Sequence, residues 1–164
     1  MFSLTYSAAY DPYHTTFRFL ALLDPAVNSD AISFDVLRIV DFYHNFPWLL
    51  KDFSAYSKIS GFQKEKNRMI KNYPKTKFDV LPDNYQVFQR MLPSQLSARA
   101  AIAQVGLIEV HNDMINPQVV EISSRSLREK LDSYRVQNLD FLSFLANKLA
   151  KVPLLGPGGL KDRS

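Results

Sequence analysis

The sequence contains no cysteine, which excludes disulfide scaffolds, thiolate metal sites and a cysteine nucleophile. It has three histidines, His14, His44 and His111, which lie far apart in the chain. No stretch approaches the roughly eighteen consecutive apolar residues that a membrane-spanning helix needs. The first ten residues have neither the basic nor the apolar stretch of a signal peptide, so we expect a cytoplasmic protein that does not bind membranes.

Phosphate-binding and nucleophile motifs are also missing. None of the patterns G-x-x-x-x-G-K-[ST], G-x-G-x-x-G and G-x-S-x-G occurs in the chain. His111 and Asp113 are potential metal ligands, but two ligands on one turn with no third do not make a site. We therefore predict that the protein is not an enzyme, with no catalytic residues, no cofactor and no bound metal.

What the sequence does have is an ordinary globular composition and an uneven charge distribution. Its 164 residues are 46% hydrophobic and 22% charged, which suits one compact domain. Residues 51–77 hold eight basic and two acidic residues, a net charge of +6 against +4 for the whole chain. Such a block attracts phosphate or an acidic protein face, or it is a solvated linker. The candidate nucleic-acid-binding residues are Lys64, Lys66, Arg68, Lys71, Lys75 and Lys77.

Aromatic residues form a second candidate surface just before the basic block. Trp48, Phe53, Tyr56 and Phe62 fall near helical spacing, and aromatic side chains are enriched at binding hot spots. The same residues would equally fill the core between the two halves of the chain. Both interpretations, a partner-binding surface and a core, are consistent with the sequence.

The first half of the chain predicts two amphipathic helices. Asp11-Pro12 opens the first, and Ser33 caps the second, which Pro47 stops. Arg38 and Asp41 are expected on the more solvated side of the second helix. We divide the chain into an N-terminal helical part (1–62), a basic and partly helical connection (63–81) and a C-terminal part (82–164).

The C-terminal part predicts helices on both sides of a β-hairpin. One helix runs from the cap at Asp83 through Leu92, and Pro93 begins another that stops at Gly106. Strands are predicted at 107–110 and 119–122, joined by a loop of about seven or eight residues. Two more helices follow, at 125–134 and 138–151.

This order of elements predicts a mainly α protein with a small β-hairpin, that is, a winged-helix-like α+β fold. Helix 93–105 takes the position of a recognition helix, but only Arg99 is charged among its polar residues, which are Ser94, Gln95, Ser97, Arg99 and Gln104. The predicted wing, 111–118, contains no Lys or Arg. Because phosphate contacts supply most of the affinity for DNA, sequence-specific reading by this element is disfavoured.

Several short motifs resemble a known family. The opening Tyr10-Asp11-Pro12-Tyr13-His14 and the run Leu37-Arg38-Ile39-Val40-Asp41-Phe42-Tyr43 before Phe46-Pro47 are similar to the middle component of bacterial three-component ABC systems, the class that includes Lamassu-type defence modules. The later Gly106-Leu107-Ile108 and the closing segment 156–163 fit that resemblance.

The resemblance implies an accessory subunit without catalytic residues. Such a subunit is expected to act as a winged-helix or kleisin-like adaptor between a coiled-coil ATPase of the SMC/Rad50 type and an effector, often a nuclease. The assembly is expected to sense double-stranded phage or plasmid DNA. The alternative from the residues alone is a stand-alone winged-helix DNA-binding regulator, and a neighbouring gene for a large coiled-coil ATPase would favour the adaptor.

Overall fold

The computed structural model describes residues 8–53, 58–77, 81–154 and 160. Helix α1 spans Pro12–Leu22, and its N-terminus is capped as predicted, since Asp11 Oδ1 accepts hydrogen bonds from the backbone of Tyr13 (2.7 Å) and His14 (3.2 Å). Helix α2 spans Phe34–Asn45, with Ser33 as its cap. The two predicted helices of the first half are therefore confirmed.

The middle of the chain contains a short 3-10 helix and one further α-helix. The 3-10 helix spans Pro47–Asp52, and α3 spans Phe62–Asn72. Gly61 precedes α3 with φ = 73°, a left-handed conformation that favours glycine. The basic connection is thus partly helical, as predicted, and its helix ends before Pro74.

Helix α4 spans Asn84–Gln104 as one continuous helix with Pro93 inside it, so the predicted break at Pro93 is wrong. The proline removes one backbone hydrogen bond and lies on the exposed side. Met91 before it and Ala98 after it are both wholly buried in the core. Packing on both sides of the proline holds the helix together, which local propensity alone does not reveal.

Three strands in the described part of the chain form a small antiparallel sheet in the order β1-β3-β2. They span Ile32–Ser33 (β1), Ile108–His111 (β2) and Met114–Pro117 (β3). Asn112 and Asp113 both have positive φ, 48° and 65°, and make a two-residue hairpin turn. This tight turn brings β3 back at once, so the predicted strand at 119–122 and the long hairpin loop are wrong.

Helix α5 spans Arg125–Gln137, α6 spans Leu139–Asn147, and a 3-10 turn covers Leu149–Lys151. One cluster of buried apolar side chains draws on every helix and on the sheet. The predicted class, mainly α with a small β element (α+β), is confirmed. The winged-helix-like arrangement and the division of the chain into three parts stay predictions.

Candidate partner-binding surfaces

The exposed side of α3 carries a row of cations. Lys64, Arg68 and Lys71 are spaced i, i+4 and i+7, which places them on one face of the helix, and all three are exposed. Lys75 and Lys77 are exposed just beyond the helix. We call these five residues the basic stripe. Arg68 lies 3.8 Å from Asp140, and such an exposed pair contributes little to stability.

Lys66, predicted to bind nucleic acid, is not part of this surface. It lies one turn after Phe62 and one turn before Met69, on the face of α3 that packs into the core, and only 4% of it is exposed. Its ammonium group donates to the backbone carbonyl of Phe53 at 2.6 Å. Helical periodicity therefore corrects the prediction, because position 66 points away from positions 64, 68 and 71.

The described residues of the predicted aromatic surface lie in the core of this structure instead. Trp48, Phe53 and Phe62 are buried, and their rings contact further aromatic rings of the core. Phe53 and Phe62 have ring centroids 5.9 Å apart, and Phe62 lies 5.4 Å from Phe144. The three residues are therefore not available as a docking surface, and Tyr56 lies outside the described residues.

A buried polar network that no sequence motif indicated joins three helices. Arg18 of α1 donates to the carboxylate of Asp41 of α2, and the side-chain amide of Gln95 in α4 donates to the same carboxylate at 2.9 Å. Arg38 donates to the Gln95 carbonyl oxygen at 2.9 Å. Arg38 and Asp41 thus lie in the protein interior rather than on the predicted solvated side of α2. The apolar residues directly before and after each of them in the sequence are the signal that could have shown this.

Ser94 and Gln95, two polar residues of the predicted recognition helix, are used internally. Both are buried, and Ser94 donates to the backbone carbonyl of Tyr10 at 2.5 Å. The guanidinium of Arg99 lies 4.2 Å above the Phe34 ring and 3.8 Å from Asp113. This side of α4 holds the fold together and is poorly placed to read bases.

His44 is a structural histidine of the core. Its Nε2 lies 2.5 Å from the hydroxyl of Tyr134. Burial lowers the pKa of His44 to about 4, and the smaller effect of the nearby Asp41 carboxylate, which raises this pKa, does not offset it. Burial also raises the pKa of Tyr134 to about 12. The pair is therefore uncharged at neutral pH and acts as a hydrogen bond between α2 and α5.

A groove of about 380 Å³ opens between α2 and the start of α4. The Arg38 guanidinium stacks on the Phe88 ring at 4.3 Å along its wall, and burial lowers the pKa of Arg38. Asp35 and Tyr85 form its exposed margins. The groove is a concave surface with aromatic walls, which sequence spacing did not indicate.

Within the described ranges, no group of three histidine or acidic side chains is placed to hold a metal ion. In the same ranges, no helix combines the length and the apolar character needed to cross a bilayer. The described residues thus include two candidate surfaces, the basic stripe and the aromatic-walled groove. Val105, Val110 and Met114 are also exposed near the sheet.

Comparison with known proteins identifies the kind of subunit to which these surfaces belong. Residues 4–164 match the family described as ABC-three component (ABC-3C) system Middle Component 5. No curated protein and no solved structure is similar enough to match the chain. The predicted resemblance to a middle component is thus confirmed over nearly the whole chain, and a middle component has other subunits as partners. The chain belongs to the Middle Component 5 family of ABC-three component systems.

Proposed function

We propose that this chain is a non-catalytic adaptor in a cytoplasmic anti-phage or anti-plasmid complex. It joins a coiled-coil ATPase of the SMC/Rad50 type to an effector nuclease and holds the effector inactive until the ATPase engages DNA. Membership of a middle-component family supports the accessory role. The Lamassu type, the ATPase class and the nuclease are part of the proposal.

The observation that carries the proposal is the basic stripe on a firmly held helix. Phe62 and Met69 anchor α3 in the core, so the cations at positions 64, 68 and 71 are presented on a rigid surface. Lys148 fixes the start of the helix, because it lies 3.0 Å from Glu65 and donates to the Ser60 carbonyl. Because the backbone of this helix is already fixed, contact with a phosphate backbone would order only the cationic side chains.

In this proposal the basic stripe contacts duplex DNA that the ATPase holds. Each phosphate neutralised by a cation adds about 0.9 to the slope of log affinity against log salt concentration. The triple change Lys64→Gln, Arg68→Gln and Lys71→Gln in the co-expressed complex should lower the slope for duplex DNA by about 2–3. Changing Lys51, Arg125 and Lys130, three exposed cations outside the stripe, to Gln is the matched control and should alter the slope little.

Bridging itself is tested by omission. The products of the neighbouring genes, which the proposal expects to be an ATPase and an effector, are co-expressed with and without the chain. The complexes are weighed by mass photometry at low and high salt. The adaptor role requires that the two subunits associate only when the chain is present. An ATPase–effector complex that forms without it contradicts bridging. An unchanged salt slope in the triple variant contradicts DNA contact by the basic stripe.

The alternative, a stand-alone winged-helix regulator, has the element order in its favour. Helix α4 directly precedes the β2–β3 hairpin, and β1 completes the sheet. The internal use of Ser94, Gln95 and Arg99 weighs against it, since a recognition helix needs such side chains free to contact bases. A shift of duplex DNA by the isolated chain, at the same affinity as the complex, would favour the regulator.

A further inference from the structure

The groove between α2 and α4 is formed by one face of each helix. Asp35, Arg38 and Phe42 lie at i, i+3 and i+7 along α2, and Tyr85 and Phe88 lie about one turn apart on α4. The Phe42 and Phe88 rings meet edge to face between the helices, with centroids 6.0 Å apart. The two faces therefore border a space of about 380 Å³ with aromatic walls, which is within the size range of small-ligand sites.

Arg38 presents an unused hydrogen-bond donor to this groove. Its Nε donates to Gln95, and its Nη2 lies 3.4 Å from the Phe88 carbonyl oxygen. Within the described residues its Nη1 makes no hydrogen bond, and it is not one of their buried atoms that lack a partner, so it reaches open space. The guanidinium is held 4.3 Å above the Phe88 ring, which fixes the direction of this donor before any ligand arrives.

The other polar side chains of the groove give it a mixed hydrogen-bonding character. Asp35 at the margin accepts hydrogen bonds, whereas the amides of Asn84 and Gln89 both donate and accept them. An anion needs donors alone and is repelled by Asp35, and a wholly apolar ligand would cover Arg38 without giving it an acceptor. A flat, uncharged ring with donors and acceptors along its edge meets both requirements.

Tyr85 adds a flat aromatic face at the mouth of the groove, and 69% of it is exposed. Nucleobases stack on such side chains whatever their identity, because every base has a π face. The edges of nucleobases carry the mixed donors and acceptors that the groove calls for. Proteins hold unstacked bases by this combination of aromatic stacking and edge hydrogen bonds.

The basic stripe ends close to this groove. Lys77 stands seven residues before Asn84, the first residue of α4, and seven residues span at most about 25 Å. A nucleic-acid strand advances by about 3.4 Å per nucleotide in a duplex and further when it is extended. A strand of about ten nucleotides is therefore long enough to contact the end of the stripe and the groove together.

We propose that the groove between α2 and α4 binds one nucleobase, with the face of the base against Tyr85 and its edge bonded to Arg38 Nη1 and the amide of Gln89. The base is carried by an unpaired stretch of DNA or by a free nucleotide, which present the same chemistry. In the strand form this inference rests on the proposed DNA contact: the basic stripe holds phosphates, and the groove holds a base that is not paired.

An abasic strand tests base binding directly. The full chain, alone and in the co-expressed complex, is titrated with an end-labelled single strand of about ten nucleotides and with the same strand made of abasic units, and fluorescence anisotropy is followed. The strand with bases should bind at least about fivefold more tightly, because the abasic strand has no ring to stack. Equal affinities for the two strands overturn the proposal, and so does a lack of binding to every strand and nucleotide.

Substitution of Tyr85 locates the base in the groove. Tyr85→Ala should lower affinity for the strand with bases at least about fivefold, to the level of the abasic strand, and leave the thermal midpoint nearly unchanged because the side chain is exposed. Tyr85→Phe keeps the ring and should bind within about twofold of the wild type. The matched control is Tyr13→Ala, since Tyr13 is 87% exposed on α1 and does not line the groove. Wild-type affinity in Tyr85→Ala overturns the site.

The triple Gln variant of the basic stripe separates this site from the proposed phosphate contact. It should weaken binding of both strands by the same factor, whereas Tyr85→Ala weakens only the strand with bases. If the stripe variant binds both strands like the wild type, the proposed DNA contact fails and base binding in the groove stands.

Competition distinguishes the two sources of the base. Displacement of the strand by excess deoxynucleoside monophosphate, absent in Tyr85→Ala, supports a site for free nucleotides. Base-dependent binding that the monophosphates do not displace supports a site for an unpaired base within a strand.

Discussion

Arg18 of α1 and Asp41 of α2 form a buried ion pair, with Arg18 Nε 2.6 Å from Asp41 Oδ1. Asp41 is wholly buried and also accepts a hydrogen bond from Gln95 of α4. Side chains from three helices thus meet at one carboxylate. The side chain of Asp41 therefore has a structural role, namely fixing how α1, α2 and α4 pack together.

We expect Asp41→Asn to destabilise the fold by about 3–5 kcal/mol, because it leaves the buried guanidinium of Arg18 without a counter-charge. Urea unfolding measures the change. The exposed Asp140→Asn is the control and should cost about 0–1 kcal/mol. Adding Arg18→Met to Asp41→Asn should restore part of the loss, and strictly additive losses would show that the two charges are not coupled.

The buried His44 predicts loss of stability in mild acid. Its pKa is about 4 in the folded protein against 6.5 for an ordinary histidine, so the unfolded chain binds a proton more readily between these values. The stability that the neutral, buried His44 contributes is complete above pH 6.5 and is lost as the pH falls to 4. The free energy of unfolding then falls by about 3 kcal/mol.

Unfolding by urea at pH 7, 5.5 and 4 measures this dependence. His44→Gln should flatten the profile between pH 6.5 and 4, because no imidazole remains to titrate in the core. Parallel profiles for the wild type and His44→Gln would assign the acid sensitivity to other groups.

Two lysines of α3 should behave in opposite ways. Lys66→Met removes the donor to the buried Phe53 carbonyl and should reduce the free energy of unfolding by about 1–3 kcal/mol. Lys64→Met on the exposed face should leave stability within about 0.5 kcal/mol and instead weaken DNA binding by the complex. Thermal unfolding and DNA titration of both variants check this, and equal stability losses would contradict the assignment of faces.

Pro93 within α4 should be a site of easy stabilisation. Pro93→Ala restores the missing amide on the exposed side of the helix and should raise the free energy of unfolding by roughly 1–3 kcal/mol. Ala100→Gly, at an exposed position of the same helix, should act in the opposite direction by about 1 kcal/mol. No gain from Pro93→Ala would mean that the proline shapes the packing of α4 on α1.

Local rules predicted elements whose signals lie in adjacent residues. Asp11, Ser33 and Asp83 cap helices in the structure as expected, because a cap needs only the next two or three amides. The prediction of a strand at 119–122 was wrong for the opposite reason. A strand requires a partner strand to pair with, and the β propensity of its residues does not supply one. The hairpin instead closed at Asn112-Asp113, where two positive φ angles set the register.

The sequence by itself determined the mainly helical class, the charge excess of 51–77 and the family, because composition, periodicity and motifs are properties of the chain order. Only the tertiary structure decided that Lys66 is buried while Lys64 is exposed, that Trp48 and Phe62 fill the core, and that Asp41 is paired. These outcomes depend on which face of each helix meets another helix, and that choice is made by packing between residues far apart in the chain.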